Sequence, residues 1–84
     1  MRLARYVKFR EERFGGVLFE TRSEKVFALN PTASAIVREI ARDGSDESAL
    51  VARLTDSYNG SRAAIATEVA AFVGDLRSRG LLED

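Results

Sequence analysis

The chain has 84 residues, 45% of them hydrophobic, with thirteen basic and thirteen acidic side chains and a formal net charge of zero. That composition predicts one small domain with a modest core and excludes a disordered tail. The absence of cysteine and histidine excludes disulfides, thiolate metal sites and the commonest general base, and the balanced charge speaks against a sequence-independent nucleic-acid binder.

The N-terminus, Met1-Arg2-Leu3-Ala4-Arg5-Tyr6, has no continuous apolar region, so no signal peptide is visible. No run approaches the ~20 apolar residues of a membrane span. The chain reads as cytoplasmic and soluble, with no membrane partner.

Residues 3–9 alternate, with Leu3, Arg5, Val7 and Phe9 on one face and Ala4, Tyr6 and Lys8 on the other. The period of two predicts a strand. Arg10-Glu11-Glu12-Arg13 reads as a charged turn. Gly15-Gly16 permit positive φ or a bulge before the next strand. That strand is expected over 17–20, where Val17, Leu18 and Phe19 are β-formers. A polar turn, Thr21 to Glu24, leads to a third strand over 25–29, and the short connection predicts an antiparallel hairpin.

Asn30-Pro31 ends the strands. Asn30 suits a helix cap, and Pro31 at the first helical position loses no needed hydrogen bond. Ala33, Ile36, Val37 and Ile40 make one apolar stripe and predict a helix over 31–42, stopped by Asp43-Gly44. Ser45 is the expected cap of a second helix over 46–58, with Asp46 and Glu47 in its first turn. Its stripe is Leu50, Val51, Leu54 and Tyr58, and Asn59-Gly60 closes it. Ser61 is the expected cap of a third helix over 62–79, whose stripe is Ile65, Val69, Phe72, Val73 and Leu76. Gly80 ends it, and Leu81 and Leu82 are expected to fold back onto the bundle. The class is therefore α+β: an N-terminal three-stranded antiparallel sheet followed by a three-helix bundle, as one domain over 1–84.

No residue pattern for catalysis, metal or cofactor emerges, so the chain reads as non-enzymatic. Asp43, Asp46, Glu47 and Asp56 lack calcium-loop spacing and read as helix caps. Ser45, Ser48, Ser57 and Ser61 have no histidine to activate them. Phe14-Gly15-Gly16-Val17 lacks the Lys-Ser/Thr of a phosphate loop and precedes a strand. The second and third helices invite a helix-turn-helix reading, which makes a DNA-binding transcriptional regulator the alternative function. Yet a recognition helix presents Arg, Lys, Asn or Gln in its N-terminal half. Here that half offers Arg62 alone, and Glu68 carries the wrong sign for phosphate.

The stripe on the third helix admits two readings. Val69, Phe72, Val73 and Leu76 are core, or an edge of the band lines a groove beside the third strand, flanked by Glu68, Asp75 and Arg79.

Several stretches together resemble the PqqD-like family, the RiPP recognition elements of ribosomal peptide natural-product pathways. They are Val17-Leu18-Phe19, Lys25 through Ala33, Asp43-Gly44 with Ser45, Leu50…Leu54…Tyr58, and Val69…Phe72-Val73…Leu76…Gly80-Leu81-Leu82. The resemblance runs from about Gly15 onward. It implies a small winged helix-turn-helix fold with the three-stranded wing at the N-terminus. It also implies a peptide chaperone without cofactor or metal. Such domains bind the leader of a precursor peptide as a strand added to the third strand, in a cleft closed by the third helix. They present it to a modifying enzyme, often a radical SAM protein. Strand addition takes affinity from backbone hydrogen bonds and specificity from alternating pockets. Carried onto this chain, the peptide-binding residues are Lys25, Val26, Phe27 and Ala28 on the strand, and Glu68, Val69, Phe72, Asp75, Leu76 and Arg79 on the helix. Which alternate strand residues face the cleft is open, because a shift of one residue exchanges the faces.

Overall fold

The computed structural model describes residues 1–44, 46–57 and 60–84, with Asp43 described by its backbone. Strand β1 (Arg2–Leu3) precedes β2 (Val7–Glu12), β3 (Gly15–Glu20) and β4 (Lys25–Leu29). Helices α1 (Pro31–Asp43), α2 (Glu47–Ser57) and α3 (Arg62–Ser78) follow, then β5 (Leu82–Glu83). β2, β3 and β4 form an antiparallel sheet in that order. The α+β class, a three-stranded sheet followed by three helices, is the one expected.

The N-terminal strand differs from expectation. Residues 3–9 do not form one strand. Ala4 is buried, its N–H donates to the Leu81 carbonyl and its carbonyl accepts from the Val7 N–H, both at 2.9 Å. This turn breaks the run into β1 and β2. β1 pairs with β5, Arg2 opposite Glu83 and Leu3 opposite Leu82. Alternation gave no sign of a partner at the other end of the chain.

Arg10, Glu11 and Glu12 are strand, not turn. They pair with Val17, Gly16 and Gly15, and the turn is Arg13-Phe14. Pairing overrides the low β-preference of charged residues when they sit on an edge. β3 accordingly starts at Gly15. There φ is +143° and a Cβ would collide with the Leu29 carbonyl, so the backbone of β3 runs tight against the end of β4.

Asn30 caps α1 as expected: its Oδ1 accepts from the Ala33 N–H at 2.8 Å, and Pro31 opens the helix. The buried Ser34 hydroxyl donates to the Gly15 carbonyl at 2.8 Å, fixing the helix start to the sheet. Gly44, left-handed at φ 69°, ends α1, its N–H donating to Ile40. The expected cap Ser45, and Tyr58 and Asn59 at the end of the second helix, lie outside the described residues. Asp46 itself takes the capping role, its Oδ1 accepting from the Ala49 N–H at 2.8 Å. Ser61 caps α3 through the Ala64 N–H. At the other end Gly80 (φ 74°) donates to Arg77 and Leu81 donates to Leu76. This pair of bonds reverses the chain and drops Leu81 into the core. Leu82 joins β5.

The core lies between the inner face of the sheet and the helices. Leu18 from β3, Val37 and Ile40 from α1, Leu50 from α2, Val69 and Val73 from α3, and Leu81 are its most enclosed side chains.

Candidate peptide-binding groove

The sheet has two free edges, β2 and β4. The Thr21 N–H donates to the Tyr6 carbonyl at 2.9 Å, continuing the β2–β3 register by one pair. Antiparallel pairs alternate between bonded and non-bonded. Val17 and Phe19, like Thr21, therefore bond toward β2, and Gly16, Leu18 and Glu20 bond toward β4. Their partners on β4 are Leu29, Phe27 and Lys25. The N–H and C=O of Val26 and Ala28 then point away from the sheet, onto open edge.

The two edges differ in chemistry. β2 carries Lys8, Arg10, Glu11 and Glu12, and charge discourages strand pairing. β4 reads Lys25-Val26-Phe27-Ala28-Leu29, with a charge at its first position alone.

The hairpin before β4 is fixed by Glu20. Its carboxylate accepts from the Arg22 N–H at 2.8 Å, the Ser23 N–H at 3.2 Å and the Ser23 hydroxyl, with Arg22 Nε at 3.5 Å. The Ser23 hydroxyl does most to lower the Glu20 pKa; burial opposes it, and the two backbone N–H groups and the Arg22 charge add to the lowering.

α3 runs beside β4 in the opposite direction. The Arg79 guanidinium lies over the Phe27 ring, and nearer the other end of α3 Glu68 and Phe72 line a hollow with Asn30, Thr32, Ala33 and Ile36. That hollow encloses about 260 Å³. A smaller one of about 110 Å³ adjoins it, lined by Thr32, Ile36, Leu54, Ile65, Glu68 and Val69. Arg79 Nε also bonds the Asp75 carboxylate at 3.2 Å.

The sequence-predicted residues thus separate. Lys25, Val26 and Ala28 are exposed along the edge, and Phe27 is half-buried on the inner face of β4. Glu68, Asp75 and Arg79 are exposed and Phe72 is half-buried along α3. Val69 and Leu76 are core residues, 1% and 3% exposed. Val69 contributes a wall of the smaller hollow, and Leu76 lines neither hollow. The sequence missed Thr32, Ala33, Ile36 and Ile65. For Thr32, Ala33 and Ile36 the signal was the Asn30-Pro31 junction, which brings the start of α1 to the end of β4; Ile65 belongs to the apolar stripe of α3. Two larger depressions lie elsewhere. One of about 610 Å³ is on the outer face of the sheet around Phe19 and Val26, and one of about 550 Å³ is beside the chain ends. Neither adjoins both the β4 edge and α3.

Among the described residues no three acidic side chains gather as a metal site, and no helix is long and apolar enough to cross a membrane.

An N-terminal wing packed on three helices, with an open strand edge beside the third helix, defines a small winged helix-turn-helix protein. The family Coenzyme PQQ synthesis protein D (PqqD) matches residues 15–82, and the chain belongs to that family. Among solved structures it is similar to TbiB1 in complex with the TbiA(beta) leader peptide, at 20% identity and TM-score 0.88, covering 99% of this chain and 95% of that one. It is similar also to a lasso peptide synthetase B1 complexed with the leader peptide, at 29% identity and TM-score 0.83, covering 99% and 96%. The fold recurs in SuiB of Streptococcus suis at 15% identity and TM-score 0.52, over 95% of this chain and 22% of that one. No curated protein matches the chain.

Proposed function

We propose that this protein is a non-catalytic chaperone that captures the leader segment of a ribosomally made precursor peptide. The leader adds as a fourth strand on β4, in the groove with α3, and is presented to a modifying enzyme. The observation that carries this reading is the outward-facing backbone of Val26 and Ala28 beside the hollows under Glu68 and Phe72. It is supported by membership of the PqqD family and by the leader peptides bound to two proteins of the same fold. Backbone bonds at the edge supply affinity, and the hollows receive alternate side chains. The 84 residues act as one domain in the cytoplasm, and the family resemblance points to a radical SAM protein as the modifying enzyme. The DNA-binding alternative is left with Arg62 as the sole base on the first half of α3 and no net positive charge.

Hydrogen exchange with and without the leader of the cognate precursor peptide, sought among short open reading frames neighbouring the gene, tests the reading. Slowed exchange at Val26 and Ala28, with less change at Phe27, supports strand addition on β4. Protection confined to α2 sinks it.

A further inference from the structure

The larger hollow beside β4 is divided in character. Ala33, Ile36 and Phe72 give it an apolar wall; Asn30, Thr32 and Glu68 give it a polar rim. Asn30 Oδ1 is occupied by the helix cap. Glu68 is exposed and, among the described residues, makes no ion pair or side-chain hydrogen bond. An unengaged carboxylate thus stands at the mouth of an apolar recess, next to the Leu29–Asn30 end of a free strand edge.

We infer that this hollow is a specificity site for a lysine or arginine of the bound leader. The inference rests on the strand-capture reading and names what that strand must carry. A purely apolar side chain would fill the wall and leave Glu68 beside it partly desolvated, without compensation. An acidic one would meet a like charge. Lysine and arginine lay an apolar stem along a hydrophobic surface and hold the charge at its rim. Here the methylenes cover Ala33, Ile36 and Phe72, and the cationic head meets Glu68. The basic residue is the one lying opposite the Leu29–Asn30 end of β4. The adjoining hollow, walled by Leu54, Ile65 and Val69 and sharing Thr32, Ile36 and Glu68, is small and takes an apolar neighbour.

The test uses random twelve-residue peptides displayed on phage and selected on the immobilised full chain. Enriched peptides are then synthesised and titrated by fluorescence anisotropy. The expected result is a lysine or arginine at one fixed position of the shared pattern. Glu68→Gln should weaken these peptides about two- to five-fold, the range of a part-exposed ion pair, with its melting temperature unchanged. Glu68→Lys should move the selected residue at that position to aspartate or glutamate. Enriched peptides that protect the Val26 and Ala28 amides but show no basic preference, or are indifferent to Glu68→Gln, overturn this inference and leave strand capture intact. Enriched peptides that leave those amides unprotected overturn both.

Discussion

The guanidinium of Arg79, just beyond α3, stands 5.2 Å from the centre of the Phe27 ring on β4. Asp75, one turn earlier on α3, holds that guanidinium at 3.2 Å. One cation thereby links the wall of the groove to its floor. Each contact is worth about 1 kcal/mol or less at an exposed position. Helix and strand are thus weakly tied at this end, and an incoming peptide competes against a small energy for room between them.

Phe72 and Leu76 should separate binding from stability. Leu76 is 3% exposed, so Leu76→Ala should cost about 2–5 kcal/mol of folding free energy. Phe72 is half-buried and packs against the core with one side. Phe72→Ala should cost less than the ~3–5 kcal/mol of a fully buried phenylalanine and should weaken leader binding in a variant that still folds. Denaturant melts and a peptide titration on both variants check this. A Phe72→Ala protein with full affinity would remove Phe72 from the groove.

Salt separates peptide from DNA. Backbone bonds and apolar contacts carry strand addition, so leader affinity should change little between 50 and 200 mM salt. Binding through six to ten phosphate contacts would fall by about 10³–10⁵ over that range. Titrations of the leader and of a generic duplex at both concentrations give the comparison. A steep slope on the duplex, with tight binding at low salt, would favour the regulator.

Proline on β4 should act by parity. The Val26 N–H faces open edge, so Val26→Pro removes a donor that the free chain does not use. Edge strands tolerate such prolines. The Phe27 N–H bonds toward Leu18, so Phe27→Pro breaks the ladder. We expect Val26→Pro to keep most of the melting temperature and lose on the order of 1 kcal/mol of leader affinity. Phe27→Pro should destabilise the sheet. A lower melting temperature for Val26→Pro than for Phe27→Pro would show that the edge assignment is reversed.

Acid should loosen the hairpin before β4. The folded pKa of Glu20 is lowered, chiefly by the Ser23 hydroxyl. The carboxylate therefore adds stability above its unfolded value of about 4.3, and that stability is lost as pH falls through the folded value. Thermal melts below about pH 4.3 should decline more steeply for the natural chain than for Glu20→Gln. Parallel declines would show that Glu20 does not contribute.

What was legible in the sequence was local. Asn30, Pro31, Gly44, Ser61 and Gly80 announce helix ends by side-chain or backbone chemistry acting within a few residues, and the structure uses each of them so. The Lys25–Leu29 strand and its hairpin were legible for the same reason. What was hidden depends on distant partners. β1 owes its extension to β5 at the far end of the chain, and Arg10 to Glu12 owe theirs to pairing with β3. The groove was half legible. Helical spacing places Val69, Phe72 and Leu76 on one broad band. How far the core covers that band depends on where α1, α2 and the chain's return at Leu81 press against it. Coverage takes Val69 and Leu76 and leaves Phe72 at the margin.

The short ribbon of β1 and β5 brings both ends of the chain together, with Arg2 and Glu83 ion-paired at 3.3 Å. Met1, Arg2, Gly44 and Asp84 line one depression there, at the C-terminal end of α1. The hollows of the groove sit at the other end of that helix, which at thirteen residues spans about 20 Å. A polypeptide spliced to either terminus would therefore emerge at the rear of the molecule, with the open strand facing forward. Such a layout makes the fold portable: it can be welded to a larger machine from behind without obstructing its mouth.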